Sequence, residues 1–190
     1  MPSHQRVEPG SINLPIADLS KIHCDDPEPK DIEKATQEWV GAFNSAIQNA
    51  DFAGLADLFV SEGFWRDHLC LAWSCNTFKG AAAMVEFLKK GCRLKSVAVD
   101  ASSEFRKPVA TAFDGKGKIR GVQTFLTTES DVGRGLGVAR LVVQEGKLKA
   151  LTLFTSMREL KGYEEATFGR RPEGVSHGGH PGTTGCGGEL

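Results

Sequence analysis

No stretch of this chain is apolar for long enough to span a bilayer, and the polar N-terminus has no apolar run of signal-peptide length. A soluble, cytoplasmic protein without a membrane partner is therefore expected. A basic surplus is missing too: 23 Lys and Arg stand against 24 Asp and Glu, a formal net charge of −1. Nucleic acid drops out as a partner, because it would be signalled by a concentrated basic patch. The five cysteines, Cys24, Cys70, Cys75, Cys92 and Cys186, are odd in number and widely spread. With no C-x-x-C pair among them, they exclude a disulfide framework and a zinc ribbon, and reduced thiols are the default.

Several catalytic signatures are absent as well. There is no Gly-x-Ser-x-Gly elbow, and no cysteine sits in a nucleophile motif. Gly133-Arg134-Gly135-Leu136-Gly137 has the glycine spacing of a nucleotide loop, but it opens a strand of a meander rather than joining a strand to a helix. His177, His180 and Cys186 lie on glycine-rich chain with nothing to orient them as ligands. Neither metal nor other cofactor is expected.

The composition that remains, 40% hydrophobic and 25% charged over 190 residues, is that of one ordinary globular domain with extensions. Residues 1–30, rich in proline, suit an extended and loosely attached arm. Residues 31–162 carry the domain, and 163–190 form a glycine-rich tail. From Asp31, a candidate N-cap, apolar residues recur at three- and four-residue steps through Trp39, Phe43 and Ile47, which predicts a helix of about five turns. A second, short helix capped by Asp51 brings Leu55, Leu58 and Phe59 inward and ends near Gly63, and a third spans about 80–90 after a turn at 76–80. The texture then changes to strands at 94–100, 104–113, 119–129, 134–144 and 147–157, joined by hairpin turns. The fold class is α+β: three N-terminal helices packed into a curved antiparallel sheet, a cone-shaped α+β barrel with an apolar cavity inside.

The chain is organised around residues 64–73, where Arg66, Asp67 and His68 interrupt an aromatic and apolar segment. Read as one strand, period two puts Trp65, Asp67 and Trp73 on one face and Arg66, His68 and Cys70 on the other. A carboxylate buried between tryptophans would lose water and gain a raised pKa, as a general base near neutral pH requires. The same Asp67 fits a structural role equally, as the partner of an arginine or the cap of a turn. On the strand at 134–144, Leu136, Val138, Arg140 and Val142 share a face. If that face is inward, Arg140 needs a partner such as Asp67, Thr155 or Gln123; if Ala139 and Leu141 face inward, Arg140 is solvated.

The order helix, helix, Phe64-Trp65-Arg66-Asp67, helix, sheet resembles the SnoaL-like branch of the cone-shaped nuclear-transport-factor fold, which includes ketosteroid isomerase, scytalone dehydratase, limonene epoxide hydrolase and polyketide cyclases. Phe64-Trp65-Arg66-Asp67 again, with Thr77-Phe78-Lys79-Gly80, Arg140-Leu141, Leu153-Phe154-Thr155 and Glu159-Leu160-Lys161-Gly162, is more closely similar to the N-terminal domain of fungal flavin-dependent monooxygenases, over about residues 33–185. The resemblance implies a cofactor-free tailoring enzyme of fungal secondary metabolism that opens epoxides of, or cyclises, a polyketide or terpenoid by acid/base chemistry. Asp67 would be the base, Arg140 would orient it and His68 would assist. Trp65, Trp73, Gln123, Phe125, Thr155 and Trp39 would hold a hydrophobic small-molecule substrate, although Trp39 at helical spacing fits plain core as well. The alternative is a non-catalytic binding or interaction module related to a flavin monooxygenase, with that monooxygenase as functional partner. A homodimer is a further expectation. The two functions differ in whether Asp67 points into a cavity.

Overall fold

In the computed structural model, which describes residues 17, 19–24 and 29–164, helix α1 (Ile32–Gln48) starts where the sequence places it. The Asp31 carboxylate accepts from the Lys34 backbone N–H at 2.9 Å. Asp51 caps α2 (Phe52–Asp57) in the same way through Gly54. The chain then leaves the helix earlier than expected. Residues 59–63 are already the start of strand β1 (Phe59–His68), and the expected turn at 76–80 is mostly strand β2 (Cys75–Lys79). Helix α3 (Ala81–Leu88) follows, then β3 (Leu94–Val99), a short β4 (Val109–Ala112) after Pro108, and the long β5 (Arg120–Ser130), β6 (Gly133–Gln144) and β7 (Lys147–Leu160).

The strands form one sheet in the order β2-β1-β7-β6-β5-β3, with β4 also paired to β5. It is curved and unclosed, and it is mixed rather than wholly antiparallel, because β1 and β7 run parallel. They can do so because the whole domain separates them in sequence, so no hairpin constrains their direction. The inner face carries the main core. Trp39 stacks on Phe43 at 5.3 Å, and Phe43 and Phe59 pack on Trp65 at 5.5 and 6.0 Å. Ala139, Leu141 and Val143 of β6 face this cluster. Asn44 fixes α1 to β3, its amide donating to the Val97 carbonyl and its Oδ1 accepting from the Val97 N–H, both at 2.8 Å.

The outer face has a smaller core of Ile22, Val60, Ile119, Val142 and Leu151. Ile22 belongs to the arm and follows a 3-10 turn at Leu19–Lys21, so the described part of the arm is packed on the sheet rather than loosely attached. The tail beyond residue 164 and the first 16 residues lie outside the described residues.

The glycines of Gly133-Arg134-Gly135-Leu136-Gly137 now have a structural reason. At Gly135 a Cβ would meet the Ser156 carbonyl oxygen and, at 2.7 Å, the Thr128 hydroxyl, and at Gly137 it would meet the Phe154 carbonyl oxygen. The missing side chains let β6 bend closely over β7 where the sheet curves. Gly135→Ala should therefore cost about 1–3 kcal/mol and lower the melting temperature by several degrees, measured by calorimetry against Gly146→Ala. Gly146 has open space around it and a positive φ of 72°, so its variant reports backbone strain alone.

Candidate functional site

Strand β1 ends at His68 because Leu69 adopts a left-handed conformation, φ 71°, that a non-glycine residue takes only at a cost. Asp67 holds this turn. Its Oδ2 accepts from the Leu71 N–H at 3.0 Å, and the Cys70 N–H also donates to it. Its Oδ1 accepts from the Thr155 hydroxyl at 2.6 Å, across the parallel β1–β7 pair in which the two residues are register partners. The Thr155 oxygen in turn accepts from Trp65 Nε1 at 3.0 Å. Trp65, Thr155 and Asp67 thus form one buried network, with Asp67 0% exposed.

Trp65 and Asp67 share the inner face, where period two puts them, but the turn at Leu69 breaks that pattern beyond His68. Cys70 swings inward beside Thr128, with Sγ 3.6 Å from the hydroxyl, and burial pushes its thiol up to about 11. Trp73 swings outward, 55% exposed, with the Arg93 guanidinium 4.3 Å above its ring. That stacking accompanies the one buried side-chain nitrogen without a hydrogen-bond partner among the described residues, Arg93 Nη1. Trp73 does not face Asp67.

Arg140 does not pair with Asp67 either. Ala139 and Leu141 of β6 pack into the inner aromatic cluster, so Arg140 between them lies exposed on the outer face. Its Nε donates to Gln123 Oε1 at 3.3 Å, and its guanidinium lies 5.8 Å from the Phe113 ring centre. Phe125 shares the outer face of β5 with Gln123, alternating with the buried Thr124 and Leu126, and carries Arg106 at 5.7 Å. His68 is also on the outer face, its ring edge on Phe154 at 5.1 Å. Trp39 is core, donating to the Leu58 carbonyl at 3.1 Å and bordering a separate cleft of about 360 Å³. The predicted constellation is thus split by the sheet.

The split leaves a cleft that the sequence did not reveal. About 450 Å³ in volume, it lies on the outer face and gathers Arg66, His68 and Arg140 around Phe154, Thr152 and Val138. Asp67 lines none of the four clefts of about 360–580 Å³. Among the described residues no cluster of three or more His, Cys, Asp or Glu could hold a metal ion, and no helix is long and apolar enough to cross a membrane. His177, His180 and Cys186 lie outside the described residues.

Neither a protein-family model nor a curated protein matches the sequence. Solved structures do align with the chain. ActVI-ORFA from Streptomyces coelicolor is 16% identical over 65% of this chain and 95% of its own, with a TM-score of 0.45. Aln2 from a Streptomyces species is 13% identical over 65% of this chain and 89% of its own, with a TM-score of 0.44. An NTF2-like protein from Cytophaga hutchinsonii is 10% identical over 67% of this chain and 99% of its own, with a TM-score of 0.47. The likeness is one of helix and strand arrangement, and no residue role passes to this chain from it.

Burial raises the Asp67 pKa, against the opposing effect of the hydrogen bonds from Thr155, Leu71 and Cys70. The folded chain therefore holds this proton more tightly than the unfolded one. The contribution of Asp67 to stability is greatest below the ordinary carboxyl value of 3.8 and falls as pH rises through the raised folded value. Asp67→Asn cannot ionise, and its amide nitrogen must face either the Leu71 N–H or the Thr155 hydroxyl, leaving one buried donor unpaired. It should destabilise the protein by about 1–3 kcal/mol at pH 4, and the gap to wild type should narrow toward pH 7, as followed by urea unfolding. A gap that widens with pH would mean that the ionised carboxylate is the form the fold prefers.

Proposed function

We propose that this chain is a non-catalytic, small-molecule-binding module that works beside a flavin-dependent monooxygenase. The observation that carries this reading is the fate of Asp67. All its identified hydrogen bonds serve the turn at Leu69 and the β1–β7 pair, and no described cleft reaches it. A general base has to touch the proton that it removes, directly or through one water. Arg140 and His68, the other residues that acid/base chemistry would call on, lie across the sheet from it. The similarity of the Phe64-Trp65-Arg66-Asp67 segment to the N-terminal domain of flavin monooxygenases then reflects what holds the fold together. It also motivates the choice of partner.

A second reading, epoxide opening or cyclisation of a polyketide or terpenoid, has one observation in its favour. The Asp67 carboxyl is buried, raised in pKa and bonded to a hydroxyl, which are properties of a catalytic acid. It would require the interior to open so that a substrate reaches the Thr155–Asp67 pair. Incubation of the purified chain with a panel of polyketide and terpenoid epoxides separates the two readings by mass spectrometry. The expected outcome is no consumption by the chain alone. Turnover that falls a hundredfold or more in a folded Asp67→Asn protein would overturn the module reading, because a general base contributes about that much.

A further inference from the structure

The outer-face cleft differs in charge from its surroundings. Several cations elsewhere on the molecule sit against carboxylates: Lys79 against Glu62, Arg106 against Asp100, Lys149 against Asp57 and Glu145, Lys161 against Glu129. Arg66 and Arg140 do not. Among the described residues each makes one side-chain hydrogen bond, through Nε to a neutral oxygen, at 3.3 Å to Thr77 Oγ1 and to Gln123 Oε1 respectively. The other N–H groups of both guanidiniums have no hydrogen-bond partner among the described residues. Among the described residues none that lines the cleft is acidic, and His68 adds a third basic group.

The floor between the two arginines is apolar and aromatic. Arg66 pairs in register with Phe154, and Phe154 with Val138; Arg140 pairs with Thr152, and Thr152 with Phe64. The arginines therefore stand on β1 and β6 with β7 between them, two strand spacings across the sheet and two residues along it, about 12 Å apart. Phe154 lies in that gap, its ring held by the edge contact with His68. A guanidinium has a planar fork that matches a carboxylate, and an aromatic ring offers a face or edge to a flat ligand. A volume of about 450 Å³ is ample for a molecule of two or three fused rings.

We infer that this cleft is a binding site for a flat aromatic carboxylate, whose rings lie against Phe154 and Val138 and whose carboxylate is taken by Arg66 or Arg140. The assignment rests on reading the chain as a binding module and names the ligand class of that module. It makes no use of Asp67.

Calorimetry on the full chain with 2-naphthoate, and with 2-naphthylmethanol as the uncharged analogue, tests the assignment. Saturable one-to-one binding of naphthoate is expected, at least about tenfold tighter than the alcohol, since one charge-assisted hydrogen bond contributes about that factor. In an amide-resolved NMR titration the shifts should centre on Arg66, His68, Thr152 and Phe154. The double variant Arg66→Gln with Arg140→Gln, confirmed folded by circular dichroism, should lose at least tenfold in naphthoate affinity and leave the weak alcohol binding unchanged. Equal affinity for acid and alcohol in the wild-type chain overturns the assignment, whether or not the variant folds. Shifts centred on Trp65 and Thr155 overturn it as well, and so does a dimer by sedimentation that covers the cleft and binds no naphthoate. Turnover lost in Asp67→Asn would defeat the module reading while leaving naphthoate bound, so the two failures are distinguishable.

Discussion

The structure depends on the carboxyl group of Asp67 being in the core. Parallel strands β1 and β7 come from opposite ends of the domain, and nothing local in sequence brings them together. The Thr155 hydroxyl and Asp67 join them side chain to side chain at the point where β1 has to stop. The same carboxyl group takes the backbone donors of Leu71 and Cys70 and so compensates the left-handed Leu69. One acid therefore settles where the strand ends, which way the chain turns, and which of Cys70 and Trp73 goes inside. Burying a carboxyl is unfavourable in itself, and it is tolerated here because each of its oxygens has a donor.

Much of the fold was legible in the sequence for simple reasons. Asp31 and Asp51 are capping residues placed just before helical periodicity begins, and the three long strands are bounded by glycine and acidic turns. What was not legible depended on a single backbone conformation or on packing across the sheet. Period two fails after His68 because Leu69 is left-handed, and no residue type announces that. Whether Arg140 faced in or out was open, because both faces of β6 are apolar: Leu136, Val138 and Val142 on one, Ala139, Leu141 and Val143 on the other. Packing across the sheet decided it: the face of Ala139, Leu141 and Val143 is the one packed into the cluster of Trp39, Phe43 and Trp65.

That choice also sorts the chemistry of the candidate site. The residues that looked like one constellation, Asp67 with Arg140 and His68, are separated by the thickness of a strand, which in a pleated chain is the difference between adjacent residues. Trp65 and Asp67 serve cohesion on the inner side, while Arg66, His68 and Arg140 gather on the outer side beside the arm at Ala17. The sheet acts as a partition between the main core on one side and the outer-face cleft on the other. Period two predicts such a partition for any strand, but the partner strands that complete the outer group can be known only from the register.

The bond between Asn44 and Val97 has a consequence beyond fixing a helix. An unclosed sheet ends in strands whose outward backbone groups are a template for another extended chain, the usual beginning of fibrous association. β3 is one of those end strands. Here the primary amide of a helical residue presents one donor and one acceptor to the outward N–H and C=O of Val97, with the geometry that a neighbouring peptide group would have. The helix thus supplies a one-residue substitute for the missing neighbour, and an incoming strand finds the middle of that border already occupied.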